Sequence, residues 1–235
     1  MLESMAWNIA LFKLVNGAHN GVMDLLLGVV TGLGDGLVVA LCCAVLCMYQ
    51  LRLGVAATLA FIFSGLLAQL IKHTWDMPRP PALLDQVHLL GAALQSHSFP
   101  SGHAASDGVM LLLAFLIWQA RDWRSYGMAG LFLLAAYGRM YVGVHFPLDV
   151  LVGLALGIGS MWICHRWSKG WAVERWQQSP WWWRVVGVVV LIEAAVLGLG
   201  YKVQPATAQP LALILPVVAL ALVMRFLKAK SQHDS

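Results

Sequence analysis

The chain has 235 residues, 60% hydrophobic and 11% charged, with a formal net charge of +4 at pH 7 and a mean hydropathy of +0.74. Soluble domains carry about 45–50% apolar and about 25% charged residues, so the composition excludes a water-soluble globular domain and indicates an integral membrane protein. The length suits one helical bundle rather than two domains, and so modest a charge points to no nucleic-acid partner.

The opening residues Met1-Leu2-Glu3-Ser4-Met5 lack the basic region of a signal peptide, and no cleavage is expected. From Ala6 to Gly34 the apolar pattern is broken by Asn16, Gly17, Asn20 and Asp24. Residues 1–35 therefore read as an N-terminal segment of interfacial amphipathic helices. A spanning helix requires about 20 mostly apolar residues. Stretches of that kind lie near Gly36–Leu51, Gly54–Trp75, His103–Gln119, Gly127–Val144, Pro147–His165, Val185–Tyr201 and Pro210–Leu227. The first is short and can borrow a turn from the preceding segment, and Pro216 is placed to kink the last. The expected fold is all-α: a polytopic transmembrane bundle of about six or seven spans. Residues 36–167 form its main bundle, 168–184 a Trp-rich connection, and 185–235 a C-terminal helix pair with a tail. Gly153 and Gly157 make a small-xxx-small pair, a signal of close helix packing. Cys42, Cys43, Cys47 and Cys164 lie in apolar stretches without CxxC spacing and read as packing thiols.

Seven spans put the termini on opposite sides. One side then holds Arg52, Arg121, Arg124, Arg166, Lys169, Arg175, Arg184, Arg225, Lys228 and Lys230; the other holds Lys13, Lys72, Arg79, Arg139 and Lys202. The positive-inside rule makes the richer side cytoplasmic. Trp162, Trp167, Trp171, Trp176, Trp181, Trp182 and Trp183 gather around one cytoplasmic connection, as an interfacial aromatic belt does.

Three polar blocks interrupt this background: Lys72 to Pro80, Phe99-Pro100-Ser101-Gly102-His103, and Arg139 to Asp149. Helix counting brings all three to the non-cytoplasmic face, joined by a loop from Asp76 to Gly102 that is long by usual statistics. Pro100 and Gly102 end the loop where a span begins, so free backbone N–H groups and the helix dipole favour an anion there. Gly102 permits close approach and Ser101 adds a hydroxyl, although a plain capped helix start has the same look. Lys72 at a helix end is open to two readings, an anion ligand or a snorkelling charge. Pro80 restricts the backbone at Arg79 and so aims its side chain. Arg139, near the end of a span, needs a counter-charge that a phosphate supplies bidentately. His145 and Asp149 are four residues apart around Pro147, which suits a first helical turn. Asp149 can then bond one nitrogen of His145, either as a structural pair or to free the other nitrogen for attack.

In order and spacing the blocks resemble the type 2 phosphatidic acid phosphatase family of membrane lipid-phosphate phosphatases. The matching positions are Lys72, Arg79, Pro80, Pro100, Ser101, Gly102, His103, Arg139, His145 and Asp149; Gly138 departs, because the family pattern usually has Ser there. The resemblance runs from about Gly36 to His165 and implies a metal-independent site with a phosphohistidine intermediate and no cofactor. It implies His145 as nucleophile oriented by Asp149, His103 as general acid, and Lys72, Arg79, Ser101, Gly102 and Arg139 as phosphate ligands. The acids near the blocks, Asp76, Asp85, Asp107 and Asp149, show no paired spacing for two metals.

Asp107, one helical turn beyond His103, is expected either to hydrogen-bond His103 and favour its protonated form or to be a solvated or Lys-paired carboxylate. Glu193, inside an apolar span, is expected to pack neutral or hydrogen-bonded, and His73, His88 and His97 to be solvated loop residues. A substrate that meets a non-cytoplasmic site at the membrane surface is a lipid phosphate. Among bacterial relatives the resemblance points first to undecaprenyl diphosphate. Phosphatidylglycerol phosphate, phosphatidate, lipid A or a lipid phosphotransfer remain alternatives. A lipid transporter would instead place charges near the midplane in repeated halves, and no repeat is evident. The inner membrane is the expected location, and nothing in the chain signals an oligomeric state.

Overall fold

The computed structural model describes residues 2–233; Met1 of the leader expectation and the last two residues of the expected tail lie outside the described residues. The described residues form helices and no strand. In chain order they are α1 (Leu2–Gly17), α2 (Gly21–Thr31), a 3-10 turn (Gly32–Gly34), α3 (Gly36–Tyr49), α4 (Leu51–Thr74), α5 (Pro80–Leu83), α6 (Gly102–Trp118), α7 (Trp123–Tyr141), α8 (Pro147–Ser168), α9 (Val173–Gln177), α10 (Pro180–Leu199), a second 3-10 turn (Ala206–Ala208) and α11 (Gln209–His233).

Local chemistry sets the helix starts. Asn20 accepts from the Met23 N–H at 3.0 Å, Asp35 from Leu37 at 3.0 Å, Ser101 from Ala104 at 3.3 Å, and Asp122 from Arg124 at 2.9 Å. Each satisfies one of the amide donors a helix start leaves open. Pro147 opens α8, where its missing N–H costs nothing, and Asn8 of α1 accepts from the Leu148 N–H at 2.9 Å.

Helix α6 is the hub, packed against α8, α7 and α4. Glycines bring α6 and α8 together. A Cβ on Gly153 would lie 2.4 Å from the Ser101 carbonyl oxygen, one on Gly157 2.0 Å from that of Ala105, and one on Gly108 2.4 Å from that of Leu154. The small-xxx-small pair therefore marks a backbone-to-backbone seam. Val39, Cys43, Ala57, Val109, Leu113 and Met161 fill the core between α3, α4, α6 and α8. A second core joins α3 to the α10–α11 hairpin through Val38, Leu41, Val190, Leu197, Val203 and Ala212.

Among the described residues four helices are long and apolar enough to cross a membrane: Leu51–Thr74, Pro147–Ser168, Trp181–Leu199 and Ala206–Lys230. The pair Gly21–Gly34 and Gly36–Tyr49 makes a fifth, bent by 56°. That is fewer than the expected six or seven. α6, at 17 residues, sits at the lower limit of about 17 for a span, and α7 is diluted by Arg124, Ser125 and Arg139. The first span borrows more than the expected turn: its first half is α2, 11 residues long, which packs on α7 with Leu27, Gly28 and Thr31 buried.

Candidate active site

The loop ends and helix termini of α4, α6, α7 and α8 gather the three polar blocks at one end of the bundle. His145 lies in the α7–α8 connection and is 2% exposed. Its Nε2 is 3.4 Å from Nη1 of Arg79. Arg79 is fixed by its other donors: Nε to the Ser96 carbonyl at 2.9 Å, Nη1 to Val144 at 3.1 Å and Nη2 to His97 at 3.3 Å. Pro80 begins α5 directly after it. A guanidinium held by three backbone carbonyls cannot swing away, so one edge of the His145 ring permanently faces a cation. Burial, and then the charges of Arg79, Arg139 and Lys72, hold the His145 imidazole well below the usual histidine range. It is therefore neutral near pH 7.

The opposite edge of His145 faces Asp149. Nδ1 lies 3.4 Å from Asp149 Oδ2, an ion-pair distance rather than a hydrogen bond of about 2.7–3.2 Å. The expected Asp149–His145 hydrogen bond is thus looser than predicted. Oδ2 is occupied instead by the Ser98 hydroxyl at 2.5 Å and the Phe146 N–H at 2.9 Å. Ser98, fully buried, is a site residue that the sequence did not disclose.

Across the site, Ser101 N–H donates to the Asp149 carbonyl at 2.9 Å, tying the start of α6 to the start of α8. The Ser101 hydroxyl caps α6. A Cβ on Gly102 would meet nothing within 4 Å, so open space lies before the helix N-terminus, where an anion is favoured. Lys72 and Arg139 add to the positive field: their charges and that of Arg79 act on His103. Lys72, Arg79, His103, Arg139, His145 and Asp149 thus lie within electrostatic reach of one another.

Asp107 does not bond His103. Neither Asp107 oxygen has a hydrogen-bond partner, and the carboxylate lies against Gly34, where a Cβ would stand 2.6 Å from Oδ1. Asp107 is fully buried, so the solvated alternative fails as well. The carboxylate that does face His103 is Asp35, with Oδ2 4.0 Å from Nε2. The Gly138 departure also has a packing reason: a Cβ there would lie 2.8 Å from Thr31 Cβ, because α2 crosses α7 at that glycine. Thr31 donates to the Ala135 carbonyl at 2.9 Å in the same crossing.

His88 is not a simple solvated histidine. It bonds Asp24 at 2.8 Å and stacks on His19 at 4.1 Å between ring centres. His73 and His97 meet edge to face at 5.3 Å, and His97 approaches Asp76 at 3.5 Å. Glu193 Oε2 is buried without a hydrogen-bond partner. Among the described residues no group of three His, Cys, Asp or Glu side chains is arranged to hold a metal ion.

Residues 53–172 match the PAP2 superfamily, half of the chain and all of the motif-bearing helices. The chain belongs to that superfamily. An undecaprenyl-diphosphatase of Sulfolobus acidocaldarius is 29% identical over 162 residues, covering 66% of this chain and 75% of the relative. A lipid A 1-phosphatase of Rhizobium johnstonii is 32% identical over 114 residues, 47% of this chain and 46% of the relative. The crystal structure of Aquifex aeolicus LpxE superposes with a TM-score of 0.61 at 31% identity, over 71% of this chain and 96% of that one. This PAP2 protein is accordingly a hydrolase of the membrane lipid-phosphatase class. Outside the match lie α1 to α3, which pack on the matched helices, and α9 to α11, of which α10 and α11 pack on α3.

Proposed function

We propose that the protein hydrolyses undecaprenyl diphosphate to undecaprenyl phosphate and inorganic phosphate through a phosphohistidine at His145. The observation that carries this reading is the buried imidazole with Nε2 facing the immobilised Arg79. A terminal phosphoryl group placed between the cations and the start of α6 brings phosphorus to Nε2. Nε2 attacks, the N–P bond forms, and the bond to the lipid-side oxygen breaks as His103 gives that oxygen a proton. Water then attacks phosphorus, His103 takes a proton from it, and the N–P bond breaks to release phosphate. Arg79, Arg139, Lys72 and the α6 amides hold the charge on the phosphoryl oxygens throughout. Asp149 orients His145 and balances the charge it acquires.

Undecaprenyl diphosphate is favoured because the Sulfolobus relative matches over most of its own length. A lipid A phosphate is the second reading, supported by the Rhizobium relative across the motif-bearing region. The distribution of Lys and Arg supports a site on the non-cytoplasmic face of the inner membrane. The test is phosphate release by the purified protein from a panel of lipid phosphates with EDTA present. Preference for undecaprenyl diphosphate, undiminished by EDTA, is expected; preference for lipid A selects the second reading, and loss of activity with EDTA contradicts the metal-free mechanism.

A further inference from the structure

Asp35 stands outside the matched residues 53–172, yet it is only 4% exposed and lies beside His103 at the start of α6. It is there because the first span is broken. The turn Gly32–Gly34 ends α2, Asp35 caps α3 with Oδ1 on the Leu37 N–H, and the two halves bend by 56°. Oδ2 is thereby free of the cap. It accepts from the Tyr201 hydroxyl at 3.1 Å and lies 4.0 Å from His103 Nε2. That nitrogen is buried and has no hydrogen-bond partner, while the His103 side chain as a whole is 27% exposed. One edge of the ring is therefore sealed against Asp35 while part of the ring remains exposed.

We propose that Asp35, held by Tyr201 of the α10–α11 hairpin, is the positioning residue for His103 in its role as general acid. The inference rests on the role given to His103 above. A general acid needs a proton on the nitrogen facing the leaving oxygen and a reason to hold it. His103 otherwise faces positive charges that repel an imidazolium, Arg139 of α7, Lys72 of α4 and Arg79 before α5, together with the His145 imidazole before α8. Asp107, on its own helix, gives it no hydrogen bond, and Asp149 is engaged by Ser98 and Phe146. Asp35 is the carboxylate that faces Nε2. Nε2–H donated to Oδ2 fixes the tautomer and leaves Nδ1 to carry the proton delivered to the leaving oxygen. Catalytic hydrogen bonds commonly shorten in the substrate complex, and the 4.0 Å separation closes with a small rotation of the ring. Burial and the Asp35 carboxylate push the Tyr201 phenol up to about 12, so Tyr201 remains a donor. The hairpin thus holds the acid's partner in place, a contact between residues 166 positions apart.

Asp35→Asn tests this. Asn caps a helix start as well as Asp does, so α3 is preserved and the charge alone is lost. kcat is measured against pH for dioctanoyl phosphatidate, with an alkoxide leaving group, and for 4-nitrophenyl phosphate, with a leaving group that needs little protonation. The alkaline limb for phosphatidate should move down by about one pH unit, a tenfold loss above the limb, with 4-nitrophenyl phosphate nearly unaffected. Tyr201→Phe should show the same selectivity with a smaller loss. An unmoved limb, with both substrates slowed equally or only KM altered, would reduce Asp35 to a cap and counter-charge for Arg139 and overturn the proposal. His103→Gln separates the two layers: selective loss of phosphatidate turnover there, without it in Asp35→Asn, defeats the Asp35 role alone. Because His103 also serves the shared water-attack step, its acid role is read in phosphoenzyme formation by rapid quench: equal loss on both substrates in that first step of His103→Gln defeats the general-acid assignment itself.

Discussion

Gly153→Ala puts the geometry of the site under the most direct strain. The added methyl would stand 2.4 Å from the Ser101 carbonyl oxygen, where ordinary contact begins at 3.4 Å, and 2.9 Å from Ala104 Cβ. Backbone cannot rotate out of the way as a side chain does, so the starts of α6 and α8 must part by about 1 Å to restore normal contact. Ser101 and His103 ride on α6 and Asp149 on α8, joined by the Ser101 N–H to Asp149 carbonyl bond of 2.9 Å. A displacement of about 1 Å at a reacting centre costs on the order of 100-fold in rate, and overpacking of this kind destabilises by about 1–3 kcal/mol. Phosphate release should therefore fall on the order of 100-fold in kcat, with thermal unfolding in detergent lowered but still cooperative. Gly159→Ala is the control, since a Cβ there meets nothing within 4 Å; it should keep full activity and gain a little helix stability. Wild-type kcat in Gly153→Ala would refute the claim that the glycine seam sets the spacing of the catalytic groups.

Arg79→Gln removes the largest charge that disfavours protonated His145. The acid limb of kcat/KM, where His145 is lost to protonation, should move to higher pH as overall activity falls; an unmoved limb contradicts the electrostatic account. Because the folded His145 refuses a proton that the unfolded chain accepts, stability should fall as pH drops through about 6.5, and thermal unfolding of wild type and His145→Ala between neutral and mildly acid pH should show less acid sensitivity in the variant. Single cysteines at Gln86 and Gln177, both exposed, in a background without Cys42, Cys43, Cys47 and Cys164, should label from opposite sides of the membrane; labelling from one side overturns the topology.

Much of the architecture was legible because its signals are local. The starts at Gly36 and Pro147 follow from Asp35 as a cap and from proline at a first turn. α7 begins at Trp123, before the expected Gly127, because the Asp122 cap outranks a glycine as a start signal. α10 begins at Pro180 because that proline opens a helix within what read as a Trp-rich connection. The motif residues were legible for the same reason, each block being contiguous. Ser98, Asp35 and Tyr201 were not. Ser98 meets Asp149 across 51 positions and Asp35 meets Tyr201 across 166, and neither a loop serine nor a helix-capping acid announces a distant partner. Asp107 misled for a physical reason: helical spacing put it beneath His103, but the carboxylate settles against Gly34, where the missing side chain leaves room.

The central claim, covalent catalysis by His145, is tested most directly by trapping the intermediate. The purified protein is mixed with substrate labelled in its terminal phosphoryl group, quenched in base within one turnover, and digested for mapping. An acid-labile, base-stable phosphoryl group on His145, formed and lost at rates that account for turnover and absent from a folded His145→Ala protein, is the predicted result. Phosphate release at wild-type rate by His145→Ala, or label mapping to a different residue, would contradict it.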